Sequence, residues 1–246
     1  MKIEINHVMK QFQNNVVLQD INIQMEEGNI YCLLGASGSG KTTLLRIIMG
    51  AISADEGQVL IEGIQVPNKT LLTQIGFMPQ QDALYHELSI WDNLRFFAGI
   101  QNLKGKQFEK RAMELLKVVG LLEDKKKLVG NCSGGMRKRI SLAATLIHAP
   151  QLIIMDEPTV GIDPVLRREI WEYLHRLKEQ GTTIVVTTHV MDEVFQCDYA
   201  ALLRNGKIII KDAVSNLAEL TSNGNIEDLF FLGEEETVCI QSLEEF

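Results

Sequence analysis

NIYCLLGASGSGKTTLLRIIMG, running from Asn29 to Gly50, divides into an apolar run, a glycine-rich turn and a second apolar segment. Ile30–Leu34 has the texture of a buried strand, and the spacing predicts a helix beginning near Lys41. Between them Gly35, Gly40, Lys41 and Thr42 occupy every fixed position of the pattern G-x-x-x-x-G-K-[ST]. The residue types answer a chemical need. A triphosphate wants many N–H donors at short range, and glycines let the backbone curl closely enough to supply them. Gly38 adds a further glycine where the bend is tight, and Ala36, Ser37, Ser39 and Thr43 complete the loop. The helix would point its positive end at the phosphates. Lys41 can reach the β- and γ-phosphates as a point charge, and Thr42 can offer a hydroxyl to Mg²⁺. A glycine-rich turn with a surface lysine is the rival reading, and it leaves the flanking strand and helix unexplained. Residues 35–43 are expected to bind a nucleoside triphosphate.

Composition bounds the rest. With 246 residues, 46% hydrophobic and 23% charged, the chain can build one large domain or two lobes around a real core. A net charge of −8 argues against wholesale nucleic-acid binding, which favours a basic footprint. Four cysteines, Cys32, Cys132, Cys197 and Cys239, are scattered without a C-x-x-C pair, so neither a metal cluster nor a disulfide framework is expected. The N-terminal stretch MKIEINHVMKQF alternates like a strand and lacks the apolar core of a signal peptide. No run approaches the length of a membrane span. A cytosolic protein, docked on something else, is the expectation.

Along the chain, Lys2–Gly28 reads as two alternating strands around a polar turn at Gln13–Asn15, and Gly57–Gly63 as another strand. Ile75–Pro79 is a short apolar run. Ser89–Pro150 is mostly helical, with Ala112, Leu115, Leu116 and Val119 at helical spacing and Gly120 as a stop. Lys125–Lys127 and Arg137–Arg139 read as solvated charge. Strands return at Leu152–Met155 and Thr183–Thr187 with a helix between, which implies a parallel sheet. Asn205-Gly206 between Ala200–Leu203 and Lys207–Ile210 signals a hairpin. The expected class is α/β, a P-loop NTPase core with a mixed sheet, an antiparallel β subdomain and a helical lobe. The expected division is 1–88 for the first part of the core, 89–150 for the lobe, 151–212 for the second part and 213–246 for a tail.

Two further motifs carry chemistry. Leu152–Met155 ends in Asp156 and Glu157. A phosphate-loop protein needs an acid at the end of a neighbouring buried strand to hold Mg²⁺, and Asp156 fits. Glu157 would face the attacking water and orient it; an ordinary glutamate, with pKa about 4.3, is otherwise a weak base. An exposed acid pair at a strand end is the bland alternative. Asn131-Cys132-Ser133-Gly134-Gly135-Met136 opens an amphipathic helix with Ser133 as its expected N-cap.

Ser133-Gly134-Gly135 upstream of the Asp-Glu pair resembles the signature motif of ATP-binding cassette (ABC) proteins, usually Leu-Ser-Gly-Gly-Gln. Cys132 stands for the leucine and Met136 for the glutamine. The resemblance extends over essentially the whole chain. Gln80 matches the Q-loop glutamine, implied to contact Mg²⁺ or water. Phe12 matches the aromatic that stacks on adenine, with a core phenylalanine as the even rival. Gly161-Ile162-Asp163-Pro164 matches the D-loop, and Asp163 is also an N-cap with proline at the first helical position. His189 matches the switch histidine at the γ-phosphate. Met136, the D-loop and the ending Asn225–Phe230 resemble the drug- and antibiotic-exporter branch.

The resemblance implies an ATPase subunit that powers export through a separate membrane-spanning permease, on the cytoplasmic face of the cell membrane. ATP and Mg²⁺ are the implied ligands. Two copies, expected to be a homodimer, would split each site. Phe12, residues 35–43, Gln80, Asp156, Glu157 and His189 would come from one copy, and Ser133, Gly134, Gly135 and Asp163 from the other. Within the set, Glu157, His189, Gln80 and Lys41 are the implied catalytic residues, and Thr42, Gln80 and Asp156 the metal ligands. An importer ATPase and a soluble ABC ATPase acting on ribosomes or DNA are the alternatives.

Overall fold

Apolar residues alternate from Ile3 to Met25, as a half-buried antiparallel pair requires. In the computed structural model, which describes residues 1–221 and 226–231, this stretch forms β1 (Ile3–Phe12) and β2 (Asn15–Met25). Ile3, Ile5, Val8, Leu18, Ile21 and Met25 are buried on the shared face. β3 (Ile30–Leu34) is buried along its whole length, and α1 (Lys41–Ile48) follows the glycine-rich loop. β4 (Glu56–Ile61) and β5 (Ile64–Gln65) complete an antiparallel sheet ordered β2-β1-β4-β5.

The chain divides into two compact units, one made of Met1–Asn68 with Val185–Phe246 and the other of Lys69–Ile184. The second unit begins with α2 (Lys69–Leu72) and β6 (Ile75–Met78). Three helices follow: α3 (Ile90–Ile100), α4 (Gly105–Val118) and α5 (Gly134–Leu146). Ser89 caps α3, its hydroxyl accepting from Asp92 N–H at 3.1 Å. Phe108, Ala112, Leu115 and Leu116 form the buried stripe of α4, and Gly120 ends that segment with φ 61°. β7 (Leu152–Asp156) then pairs parallel with β6, Met78 opposite Met155. α6 (Pro164–Glu179) leads to β8 (Thr183–Thr187), which carries the chain back into the first unit.

There α7 (Met191–Val194), β9 (Tyr199–Arg204), β10 (Lys207–Ala213) and α8 (Val214–Glu219) finish the fold, with a 3₁₀ turn at Ile226–Phe231. β9 lies parallel to β3 and antiparallel to β10, so the sheet is mixed. Asn205 and Gly206 both take positive φ, 50° and 76°, the turn that matches strand twist. The strands and helices expected from the sequence are all present.

One expectation fails. Arg137–Arg139 is not a freely solvated charged face. Arg137 donates to Cys132 O at 2.9 Å, Arg139 to Val119 O at 3.0 Å, and Lys138 to Gln80 O at 3.2 Å. α5 is buried from Ile140 to Leu146, so these long side chains lie over neighbouring elements and satisfy main-chain carbonyls there. The acidic ending Glu234–Glu236, Glu244 and Glu245, and Cys239, lie outside the described residues.

Candidate functional site

The loop from Gly35 to Gly40 is shaped by close approach as much as by torsion. A Cβ on Gly35 would lie 2.3 Å from Leu203 O, and one on Gly40 would lie 2.9 Å from Val17 O. Gly40 also takes φ 108°, so a side chain there is strained twice over. Lys41 is buried, and its ammonium donates to Gly35 O at 2.6 Å and Ala36 O at 3.0 Å. The loop thus folds around its own lysine. Ser39 is also buried, and its hydroxyl has no hydrogen-bond partner. An unmet hydroxyl inside a glycine-rich loop at the start of a helix suits an anionic oxygen donated by a ligand. Ala36 and Ser37 are exposed beside it, while Thr42 and Thr43 are half-buried on the first turn of α1.

In the same unit Phe12 ends β1 with 48% of its surface exposed, so it is no core residue. Lys10 places its ammonium 5.3 Å from the Phe12 ring centre and pairs with Asp55 at 2.7 Å. Asp55 accepts that bond first and Gln11 N–H second, which holds its carboxyl below the usual range. His189 follows β8 and is exposed. Its loop is braced from below: Thr188 donates to the buried Glu193 carboxylate at 2.6 Å and accepts from Val190 N–H at 3.0 Å.

The second unit brings Gln80 together with the two acids. Asp156 is buried at the end of β7, and Glu157 turns away from the strand with φ 52°. A non-glycine residue held there costs about 1 kcal/mol or more. Gln80 Nε2 donates to Glu157 Oε2 at 3.1 Å. Lys138 reaches the Gln80 carbonyl and, at 3.4 Å, the Asp156 carbonyl. Sequence reasoning missed Lys138, because a run of three cations carries no periodicity to single one out.

α5 starts as its sequence requires. Ser133 Oγ accepts from Met136 N–H at 3.2 Å, with Ser133 and Gly134 exposed. A Cβ on Gly135 would approach Gly161 O to 3.1 Å, so this turn packs against the loop leading to Asp163. Asp163 Oδ1 accepts from Leu166 N–H at 3.0 Å and caps α6. Cys132 is buried and its thiol donates to Leu128 O at 3.4 Å; burial pushes the thiol pKa up, so it serves as a small apolar filler. Met136 lies 3.7 Å from the Lys127 ammonium through its sulfur. Elsewhere in this unit a groove of about 200 Å³ is lined by Phe77, Leu84, Phe97, Ile100, Ala144 and His148.

A family model described as ABC transporter matches residues 18–160, from β2 through both acids to the start of the D-loop. The chain belongs to the ABC transporter family. As an ABC cassette it is 40% identical over 234 residues to ABC transporter G family member 20 of Dictyostelium discoideum, covering 93% of this chain and 32% of that protein. The cassette therefore spans about a third of that relative's length. It is 35% identical over 246 residues to the linearmycin resistance ATP-binding protein LnrL of Bacillus subtilis (strain 168), covering 98% of this chain and 79% of that one. A solved dimeric ATP-binding cassette, in a post-hydrolysis state bound to ADP and Pi, superposes with a TM-score of 0.79 at 28% identity. That match covers 86% of this chain and 98% of the other.

Proposed function

We propose that this cassette binds and hydrolyses ATP as the energy-converting subunit of an ABC exporter for a drug, antibiotic or other small molecule. The observation that carries the nucleotide reading is the loop itself: glycines at close approach, Lys41 folded inward, and the buried Ser39 hydroxyl without a partner. The export reading is supported by the likeness to a linearmycin resistance protein over nearly the whole chain, and by Met136.

The roles follow from residue chemistry. Residues 35–43 wrap the phosphates with N–H groups, and Lys41 supplies a charge that follows the γ-phosphate. Phe12 stacks on the base. Thr42, Asp156 and Gln80 offer oxygen donors suited to Mg²⁺, which when bound neutralises phosphate charge. Glu157, held by Gln80, orients the attacking water, and His189 contacts the γ-phosphate. Ser133, Gly134, Gly135 and Asp163 act on the nucleotide of a second copy. Each γ-phosphate then contributes contacts to both copies, and its loss favours separation, a switch by differential affinity.

Among the described residues no helix is long and apolar enough to cross a membrane. We assign the spanning part to a separate permease, placing the cassette at the cytoplasmic face. The apolar groove beside Gln80 and the helical segment 89–150 are the surface offered to it. Nucleic acid is not a partner in this reading. Purification from detergent-solubilised cells tests it. A multi-span protein that co-purifies and raises ATP hydrolysis supports the transporter; ribosomal or DNA-repair proteins with no membrane partner overturn it.

A further inference from the structure

α5 carries Ser133–Gly135 at its start and Lys138 little more than a turn later. Lys138 is half-buried, and its ammonium sits against two main-chain carbonyls, Gln80 O at 3.2 Å and Asp156 O at 3.4 Å. One carbonyl belongs to the turn leaving β6 and the other to the last residue of β7, two strands that run parallel and in register up to Met78 and Met155. The pairing ends there, β6 at Met78 and β7 one residue later at Asp156. Two residues beyond Met78 and Met155, Gln80 and Glu157 are joined by a hydrogen bond of 3.1 Å. That bond depends on the two turns keeping their separation, and Glu157 is held at φ 52° where an unsupported residue would relax.

We propose that Lys138 is a positioning residue for Glu157: by bridging the Gln80 and Asp156 carbonyls it fixes the spacing across which Gln80 orients the Glu157 carboxylate. This rests on the reading of Glu157 as the residue that orients water. An ammonium suits the task because it has three donors and needs no fixed plane, so it can serve two carbonyls on different elements. A thioether or alkyl chain of similar length would fill the same space and hold neither carbonyl. Misplacing a catalytic group by about 1 Å costs on the order of a hundredfold in rate.

The test uses the purified 246-residue chain, comparing Lys138→Met, Lys138→Arg, Gln80→Ala, the Lys138→Met/Gln80→Ala pair and Glu157→Gln. Steady-state ATP hydrolysis gives kcat, and calorimetry gives the affinity for Mg-ATP. Lys138→Met is expected to lower kcat about tenfold or more while ATP affinity and melting temperature stay near wild type. Lys138→Arg, which keeps the charge and the donors but holds them in a plane, is expected to be faster than Lys138→Met and slower than wild type. Adding Gln80→Ala to Lys138→Met should cost little further, because both act through the same carboxylate. A wild-type kcat in Lys138→Met, beside an inactive Glu157→Gln, overturns the proposal and leaves the reading of Glu157 standing. A wild-type rate in Glu157→Gln overturns both. Parallel loss of affinity, melting temperature and rate in Lys138→Met marks Lys138 as merely structural and also overturns the proposal.

Discussion

Gln80 and Glu157, 77 residues apart in the chain, are joined by a hydrogen bond of 3.1 Å from the amide to the carboxylate. The amide holds Glu157 Oε2, and the side chain is only partly buried. Glu157→Gln would keep the shape and remove the charge. The expected outcome is retained ATP binding, hydrolysis reduced about a hundredfold or more, and an ATP-dependent dimer that persists. Size-exclusion chromatography with and without Mg-ATP checks the dimer, and a phosphate-release assay checks the rate.

Lys41 is held inside its own loop by Gly35 O and Ala36 O. Lys41→Ala removes the cation that a phosphate would meet there. A charge-assisted bond contributes about 1.5–3 kcal/mol, so ATP affinity should fall about ten- to a hundredfold by calorimetry. Gly40→Ala acts differently. Its added methyl would sit 2.8 Å from Leu18 Cδ2 and 2.9 Å from Val17 O at φ 108°. It should lower the melting temperature as well as affinity, whereas Lys41→Ala should lower affinity first.

Asp163 has two candidate duties that substitution can separate. Its carboxylate caps α6 by accepting from Leu166 N–H at 3.0 Å, and losing such a cap costs about 1 kcal/mol. Asparagine caps as well as aspartate, so Asp163→Asn should match wild type in urea denaturation while Asp163→Ala should not. If both variants lose hydrolysis alike, the charge matters apart from the cap. If hydrolysis follows stability, Asp163 is a cap alone.

These features were not equally legible in the sequence. The loop at 35–43 could be read because its chemistry is local: glycines, a lysine and a threonine at fixed spacing between a strand and a helix. The caps at Ser133 and Asp163 were legible for the same reason, and so was the Asn205-Gly206 turn. What the sequence withheld is set by distant partners. That Gly35 and Gly40 must lack side chains because of Leu203 O and Val17 O follows from strands β9 and β2, which lie outside the loop's own motif. Lys138 looked like solvated charge until the burial of α5 placed its ammonium over two carbonyls. Cys132, a departure from the usual leucine, turns out to fill apolar space. The glutamine that Met136 replaces has no polar stand-in on that side chain.

His148 gives a pH dependence with a defined direction. It lies in the apolar groove, and Nε2 donates to Ile75 O at 3.2 Å. Burial lowers its pKa from the ordinary 6.5, the Arg111 charge adding to the shift and the Ile75 carbonyl opposing it. The unfolded chain therefore binds this proton more readily than the folded one. The contribution of His148 to stability is full above pH 6.5 and is lost as pH falls through the lowered folded value. Urea denaturation midpoints should drop between pH 7.5 and 5.5, and His148→Gln should flatten that slope. An unchanged slope in the variant would assign the dependence to other groups.

Phe12 is the residue whose two readings the fold separates most clearly. A core phenylalanine would be buried, and truncating it would cost about 3–5 kcal/mol. Phe12 is instead 48% exposed at the end of β1, with the Lys10 ammonium 5.3 Å from the ring centre. Lys10 is itself fixed by Asp55 at 2.7 Å, so the ring rests on an anchored cation. Phe12→Ala should leave thermal stability close to wild type. If the ring stacks on a base, affinity for ATP should fall by about 1–3 kcal/mol, the range for base–aromatic stacking. Inorganic triphosphate, which has no base, should bind the variant and the wild type alike. Calorimetry with the two ligands decides the matter: equal losses for both would place Phe12 at the phosphates, and no loss for either would remove it from the nucleotide site.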